Sequence, residues 1–220
     1  MGQLEELTSV IELLSRARSF KTAADLLTDW ARDFTGCQAA ALRLVLEGDT
    51  EDWLGGCSVC GASESWARDE AMFATSECLC GRVTSGSTND KLPFFTSGGS
   101  FLWGRMGDLL HEFSLDELGD LRGRCVTEDY ESVAIFPIRT SGNIVGSLHL
   151  ADPRRDRFTS SSEVVESVCR LAGDILLGHR RTERERALLD QIQSALLPSL
   201  PARFDGLSIG VSFGSATEMA

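Results

Sequence analysis

Apolar residues at the start of the chain recur with helical spacing. Leu4, Leu7, Ile11 and Leu14 fall on one stripe, and Ala23, Leu26, Leu27, Trp30, Ala31 and Phe34 repeat the pattern until Gly36 supplies a stop. From Cys37 to Leu46 the pattern is strand-like. Leu42, Leu44 and Leu46 alternate with Ala41, Arg43 and Val45, and Gly48-Asp49 closes the run as a turn. Residues 50–128 then lose any clear period. Short helices are expected around Ser63–Phe73 and Leu102–Phe113 among Gly-rich loops, and so long a stretch of weak pattern inside a domain marks functional loops. Ser132–Arg139 and Asn143–Asp152 read as two strands joined by the short loop Thr140-Ser141-Gly142. The first is apolar on both faces, which places it at the centre of its sheet.

From Ser160 to Leu197 the period is helical again, with N-caps at Ser160–Ser162 and an acidic first turn at Glu163. Val164, Val168, Leu171, Ile175, Gly178, Thr182, Glu185, Leu189, Ile192 and Leu196 step by four and three in alternation. That is a heptad seam, apolar at both ends and polar in its middle. Pro198 and Pro201 end the helix, and Leu207–Phe213 opens a strand-like run. This order of elements predicts an α+β domain: an antiparallel sheet with helices on one face, followed by a long C-terminal helix of coiled-coil type.

Composition narrows the picture. A chain of 220 residues, 42% hydrophobic and 25% charged, is long enough for one domain with an appendage and buries a core without covalent staples. The formal net charge of −12 argues against nucleic acid and anionic membrane surfaces as partners. No apolar run is long enough for a membrane span, and MGQLEELTSV lacks the features of a signal peptide, so a cytoplasmic location is expected. Seven cysteines without an export signal do not read as a disulfide framework.

The strand AALRLVLEG, the hairpin YESVAIFPIRTSGNIVGSLHLAD and the following RFTSSSEVVESVCRLAGDI resemble, over Cys37–Leu177, a GAF domain, the small-molecule-sensing relative of the PAS fold. Cys-Leu-Cys-Gly at Cys78–Gly81, Gly-Gly-Ser-Phe at Gly98–Phe101 and Arg-x-Arg-Cys at Arg122–Cys125 are similar to a cysteine-containing subgroup found in input domains of bacterial signalling proteins. The last stretch, Leu188–Ala220, resembles the start of a PPM-type serine/threonine phosphatase domain of the sporulation and stress-regulator kind, in which a helix ending in Leu-Leu-Pro leads into the first strand. In that family the metal-binding Gly-Asp segment follows a stretch like Ala216–Met219. Manganese or magnesium and the catalytic carboxylates would then belong to residues after Ala220, and no catalytic site is expected within these residues.

These resemblances imply a GAF sensory domain over 1–178, a signalling linker helix over 179–197 and a truncated phosphatase start over 198–220. The implied function is a cytosolic regulatory domain that dimerises through its exit helix and controls a C-terminal phosphatase module acting on a phosphoprotein. Two alternatives stand beside it. The intact protein is itself the metal-dependent phosphatase, or the GAF domain serves dimerisation alone.

Five cysteines crowd the middle of the chain. Cys57 and Cys60 have the two-residue spacer of a tetrahedral metal site, and Cys78 and Cys80, if on a strand, would face one side; Cys125 makes a fifth sulfur. Zinc, an iron–sulfur cluster or a redox couple on these thiols is one reading, and separate buried apolar side chains are the other. A small-molecule ligand is the further possibility. Trp103 and Phe101 among the mid-chain aromatics, His149 on the second hairpin strand and Arg124 are its candidate contacts. Gly98-Gly99-Ser100, if followed by a helix, offers a place for an anion. No Ser/His/Asp or Cys/His spacing suggests a nucleophile with its base.

Overall fold

The computed structural model describes residues 2–196 together with the backbone of 203–204 and 207–208. Two amphipathic helices come first, α1 (Gln3–Ser15) and α2 (Phe20–Thr35). Ser19 caps α2 by accepting from the Thr22 N–H, and Gly36 ends it in the left-handed conformation. Strands β1 (Ala39–Leu46) and β2 (Trp53–Cys60) follow as an antiparallel pair. Beyond them lie α3 (Glu64–Asp69), β3 (Met72–Ala74), α4 (Cys78–Thr84) and β4 (Phe101–Trp103). A 3-10 turn at Met106–Asp108 leads into the one-turn helices α5 (Leu109–Glu112), α6 (Leu115–Leu118) and α7 (Arg124–Thr127). The hairpin β5 (Ser132–Thr140) and β6 (Asn143–Asp152) closes the sheet, and α8 (Ser162–Leu196) leaves it.

All six strands form one antiparallel sheet in the order β3-β2-β1-β6-β5-β4. The expected α+β class with its long C-terminal helix is what the chain adopts. The β5–β6 turn is two residues long, with Ser141 and Gly142 both at positive φ, the conformation whose twist matches the strands it joins. Elements missing from the sequence reading are β2, β3, α4, α6 and α7. WLGGCSVC, with two glycines and few β-branched residues, carries almost no strand signal of its own and is held by its pairing with β1. Of the helix expected at Leu102–Phe113, the first part is strand β4 and the second part is helical.

The pleat sorts the strands into two cores. Ala40 and Leu42, Ala134, Phe136 and Ile138, and Leu148 and Leu150 face α1, α2 and α8. Ala39 and Ala41, Val133 and Ile135, and Ala151 face the short helices and loops of the middle region. The three long helices thus share one face, as expected, and the other face is covered by one- and two-turn helices.

Residues Met1–Arg181 form one compact unit and Thr182–Ala220 a second. In the first, α8 docks with Val165, Val168, Cys169, Ala172 and Leu176 against the sheet, and Gly173 lies so close to the main-chain oxygen of Arg139 that a Cβ would collide with it. This corrects the seam: Val164 and Val168 are buried in the domain core, whereas Leu171 is exposed. Within the second unit Leu188, Leu189 and Ile192 are 57%, 58% and 47% exposed. Of the strand expected at Leu207–Phe213, Leu207–Ser208 pairs with Arg203–Phe204; the rest of the stretch that resembles a phosphatase start, over 198–220, lies outside the described residues.

Candidate functional site

The second face of the sheet carries an arginine where a strand usually buries an apolar side chain. Arg43 lies on β1 in line with Ala39 and Ala41 and is 1% exposed. A charge so deep in protein needs partners, and it has them on every side. Nη2 donates to Glu70 Oε2 at 3.2 Å, Nε to the Glu70 main-chain oxygen at 3.4 Å, and Nη1 to His149 Nδ1 at 3.3 Å. The rings of Trp66 and Phe73 flank the guanidinium at 5.1 and 5.4 Å.

Glu70 caps α3 and is shared between two arginines. Its Oε1 accepts from Arg122 Nε at 3.2 Å, while Arg122 also reaches Glu77 Oε2 at 2.9 Å and the Asp69 main-chain oxygen at 2.8 Å. Arg124 Nη2 pairs with Asp69 Oδ2 at 2.8 Å. The Arg-Gly-Arg-Cys motif is thereby clamped onto the C-terminal end of α3, where carbonyls run out of helical partners. Arg43, Glu70, Arg122 and Glu77 balance one another, so the cluster is neutral as a whole.

His149 completes the floor. A guanidinium only donates, so Nδ1 accepts from Arg43 and the single ring proton resides on Nε2. Nε2 faces Cys125 Sγ at 3.7 Å and is therefore the donor there. Burial, reinforced by the charge of Arg43, holds the imidazole well below its usual range. With its proton already on the side facing the sulfur, His149 cannot act as a base toward Cys125, whose thiol burial pushes up.

Beside this floor lies a cavity of about 320 Å³. Its walls are mostly apolar, with Leu79, Met106, Leu109, Leu121, Val133 and Ile135 contributing, and Cys78, Cys80 and Cys125 all line it. Cys78 opens α4 at φ 62°, a left-handed conformation rare outside glycine, anchored by its N–H on the Asp120 oxygen at 2.8 Å. Cys80 follows two residues later on the same helix and lines the same cavity. Interaction with the Cys80 thiol brings Cys78 down to about 6 against the effect of burial, and the same interaction together with burial pushes Cys80 up. Gly81 allows this turn: a Cβ there would run into the Thr75 main-chain oxygen.

The sequence reading meets several corrections here. Cys78 and Cys80 sit on a helix, not a strand. The five mid-chain sulfurs do not share a site, because the sheet separates them. The register between β1 and β2 shifts at Leu42/Arg43, leaving Cys57 as a bulged residue, and Cys57 and Cys60 pack on the helix-covered face. Among the described residues no three His, Cys, Asp or Glu side chains are grouped around one point as ligands. His149 Nε2 faces Cys125 Sγ, and the cavity thiols are not gathered with it around one point, so the zinc or iron–sulfur reading finds no ligand set among the described residues. Phe101 and Trp103 belong to an aromatic cluster with Phe94, Phe95 and Phe113 and do not line the cavity. Arg124 does line it, already paired with Asp69. Gly98-Gly99-Ser100 precedes a strand, and the Glu166 carboxylate accepts there from Ser100 Oγ at 2.7 Å and Thr96 Oγ1 at 3.0 Å, which closes the place to an anion. Arg43 and Glu70 were not among the sequence candidates, whereas Trp66 and Phe73 belong to the mid-chain aromatics and flank the Arg43 guanidinium. The available signal was the single charge inside the apolar run AALRLVL.

No protein-family model matches the chain, and no curated protein does. Solved structures match its fold. The GAF domain of an Acinetobacter phosphoenolpyruvate-protein phosphotransferase superposes with a TM-score of 0.61 at 12% identity, over 84% of this chain and 99% of that one. Free methionine-R-sulfoxide reductase from Neisseria meningitidis, solved with its substrate, gives 0.59 at 10% identity over 82% and 91%. A GAF domain of A. aeolicus in an inactive state gives 0.53 at 15% identity over 79% and 94%. The fold is that of GAF domains.

Proposed function

We propose that this chain is the sensory input part of a signalling protein. A small ligand or reaction at the apolar cavity on the second face sets the state of α8. That helix pairs with α8 of a second copy and passes the state to a phosphatase module of the kind that Leu188–Ala220 resembles. The observation that carries this reading is the cavity itself: about 320 Å³, apolar, and backed by a rigid, internally neutralised charge cluster, it is built to hold a small molecule. Support for transmission comes from α8, one uninterrupted helix that starts in the domain core and ends with exposed Leu188, Leu189 and Ile192. A relative in fold has been solved in a state named inactive, in keeping with a domain that has more than one state.

A ligand surrogate tests it. Leu110→Trp, at an exposed position on the cavity rim, would place an indole in the cavity. Hydrogen exchange along 182–195 is expected to change in this variant relative to the parent, with the protein sedimenting as a dimer in both. Unchanged exchange, or a monomer, would count against the reading.

Three thiols at one cavity favour a second reading, reduction of free methionine sulfoxide, given the fold shared with the Neisseria enzyme. A free amino acid brings an ammonium and a carboxylate, whereas Glu70, Arg122 and Arg124 at this cavity are already paired with one another or with neighbours. Incubation with methionine-R-sulfoxide and dithiothreitol decides: turnover would establish the reductase, and none is expected.

A further inference from the structure

Three of the seven cysteines line one apolar cavity, and two of those three are only two residues apart in sequence. Such an arrangement exceeds what a packed core needs. Buried cysteines elsewhere in this protein are solitary small apolar side chains: Cys37 and Cys169 are embedded in the first core and Cys169 is fully buried there. Cys78 differs from them in three ways. It is only half-buried, it lines the cavity, and its left-handed backbone opens the helix that places Cys80 on the same cavity wall. A Cys-x-Cys pair in regular helix would point its side chains apart. The positive φ at Cys78 and the glycine at 81, where a Cβ would meet the Thr75 main-chain oxygen, set the local backbone of this turn.

We infer that Cys78 is an oxidation site for apolar organic hydroperoxides and that Cys80 completes the reaction by forming a disulfide with it. The cavity selects the oxidant, since its walls would bury the apolar part of the molecule and leave the peroxide group at the sulfurs. In the first step the Cys78 thiolate attacks the terminal peroxide oxygen. The S–O bond forms, the O–O bond breaks, and the alkoxide leaves and takes a proton to become the alcohol. In the second step the Cys80 sulfur displaces hydroxide from the Cys78 sulfenic acid, its own proton leaving with that hydroxide as water. One hydroperoxide and two thiols thus yield a disulfide, an alcohol and water. Cys125, held as a hydrogen-bond acceptor by His149, stays reduced. This inference rests on the sensor reading in one respect: it names the chemistry of the signal at the same cavity.

The test uses the full chain, fully reduced, with cumene hydroperoxide as the apolar probe and hydrogen peroxide as the polar one. After the remaining thiols are blocked, trypsin releases Cys78 and Cys80 on one peptide, Cys57 and Cys60 on another and Cys125 on a third. The expected result is that the Cys78–Cys80 peptide becomes two hydrogens lighter, at least about tenfold faster with cumene hydroperoxide than with hydrogen peroxide. Cys80→Ser should leave a sulfenic acid on Cys78 that dimedone traps, and Cys78→Ser should leave Cys80 as the free thiol. Oxidation falling first on Cys57 or Cys60, equal rates with the two peroxides, or dimedone labelling of Cys80 in place of Cys78 would each overturn the inference. Hydrogen exchange along 182–195, followed in the same samples, separates the two ideas. A disulfide without any change in the helix upholds the oxidation chemistry and contradicts the sensor reading; a helix that answers Leu110→Trp in a protein whose thiols ignore peroxide does the reverse.

Discussion

The two faces of the sheet are built from the same strands and solved by opposite means. On the first, alternate residues of β1, β5 and β6 meet three long amphipathic helices, and the contacts are almost wholly apolar. On the second, the intervening residues meet short helices, and a charged cluster stands where apolar packing is incomplete. Apolar burial is non-directional and fills space; a cluster of paired charges is directional and holds groups in place around space left open. Both faces bury apolar side chains, and on the second the paired charges border an open cavity.

The largest effect that would break this contrast is expected at Glu70. Glu70→Ala leaves two arginines facing each other in a buried site and should cost about 3–5 kcal/mol in urea unfolding. The sharper comparison keeps volume constant. Glu70→Gln should still be strongly destabilising because the charge is gone, whereas Leu150→Met on the first face, with volume retained, should cost less than about 1.5 kcal/mol. Equal losses for these two variants would mean that the faces are not held differently.

Next in size is a pair of glycines on α8. Gly173→Ala drives a Cβ into the Arg139 main-chain oxygen and is expected to cost about 1–3 kcal/mol. Gly178→Ala, where a Cβ meets nothing within 4 Å, should instead raise the thermal midpoint, by about 0.5–1 kcal/mol of helix propensity. Calorimetry of the two variants locates where the helix stops being part of the first core. Ser19→Ala, removing the cap of α2 on that face, should cost about 1 kcal/mol in the same measurement.

The smallest effect expected is acid sensitivity at the end of the central strand β6, at Asp152. Burial alone would raise the Asp152 carboxyl, but hydrogen bonds from Arg154 and the Gln38 N–H outweigh it and hold it below the ordinary value. A depressed carboxyl stabilises the fold above its unfolded value of about 3.9, and that contribution is lost as pH falls through the folded one. Asp152→Asn should therefore flatten the decline of the urea midpoint at pH below about 4, and an unchanged decline would assign it to other groups.

The first face was legible in the sequence because its elements are long and periodic: α2 with its Ser19 cap and Gly36 stop, the β5–β6 hairpin, and the start of α8. The second face was not, for physical reasons. β2 takes its conformation from its neighbour, and α4 begins with a left-handed cysteine that no propensity anticipates. Arg43 pairs with residues far away in sequence, so its role exists only after folding. The cysteine spacing drew Cys57 and Cys60 into one group with Cys78, Cys80 and Cys125. A bulge at Cys57 and the alternation of the pleat put the two sets on opposite faces. Of the candidate site, Cys78, Cys80, Cys125, His149 and Arg124 converge; Phe101 and Trp103 lie in the neighbouring aromatic cluster.

That the second face is the chemically active one can be read directly from residue-resolved alkylation of the reduced protein by iodoacetamide across a pH series. The account predicts that Cys78 labels first, with a rate midpoint near pH 6, while burial keeps Cys57 and Cys60 protonated and slow at that pH. Labelling of Cys57 or Cys60 ahead of Cys78, or a Cys78 midpoint at the ordinary thiol value of about 8.5, would contradict it.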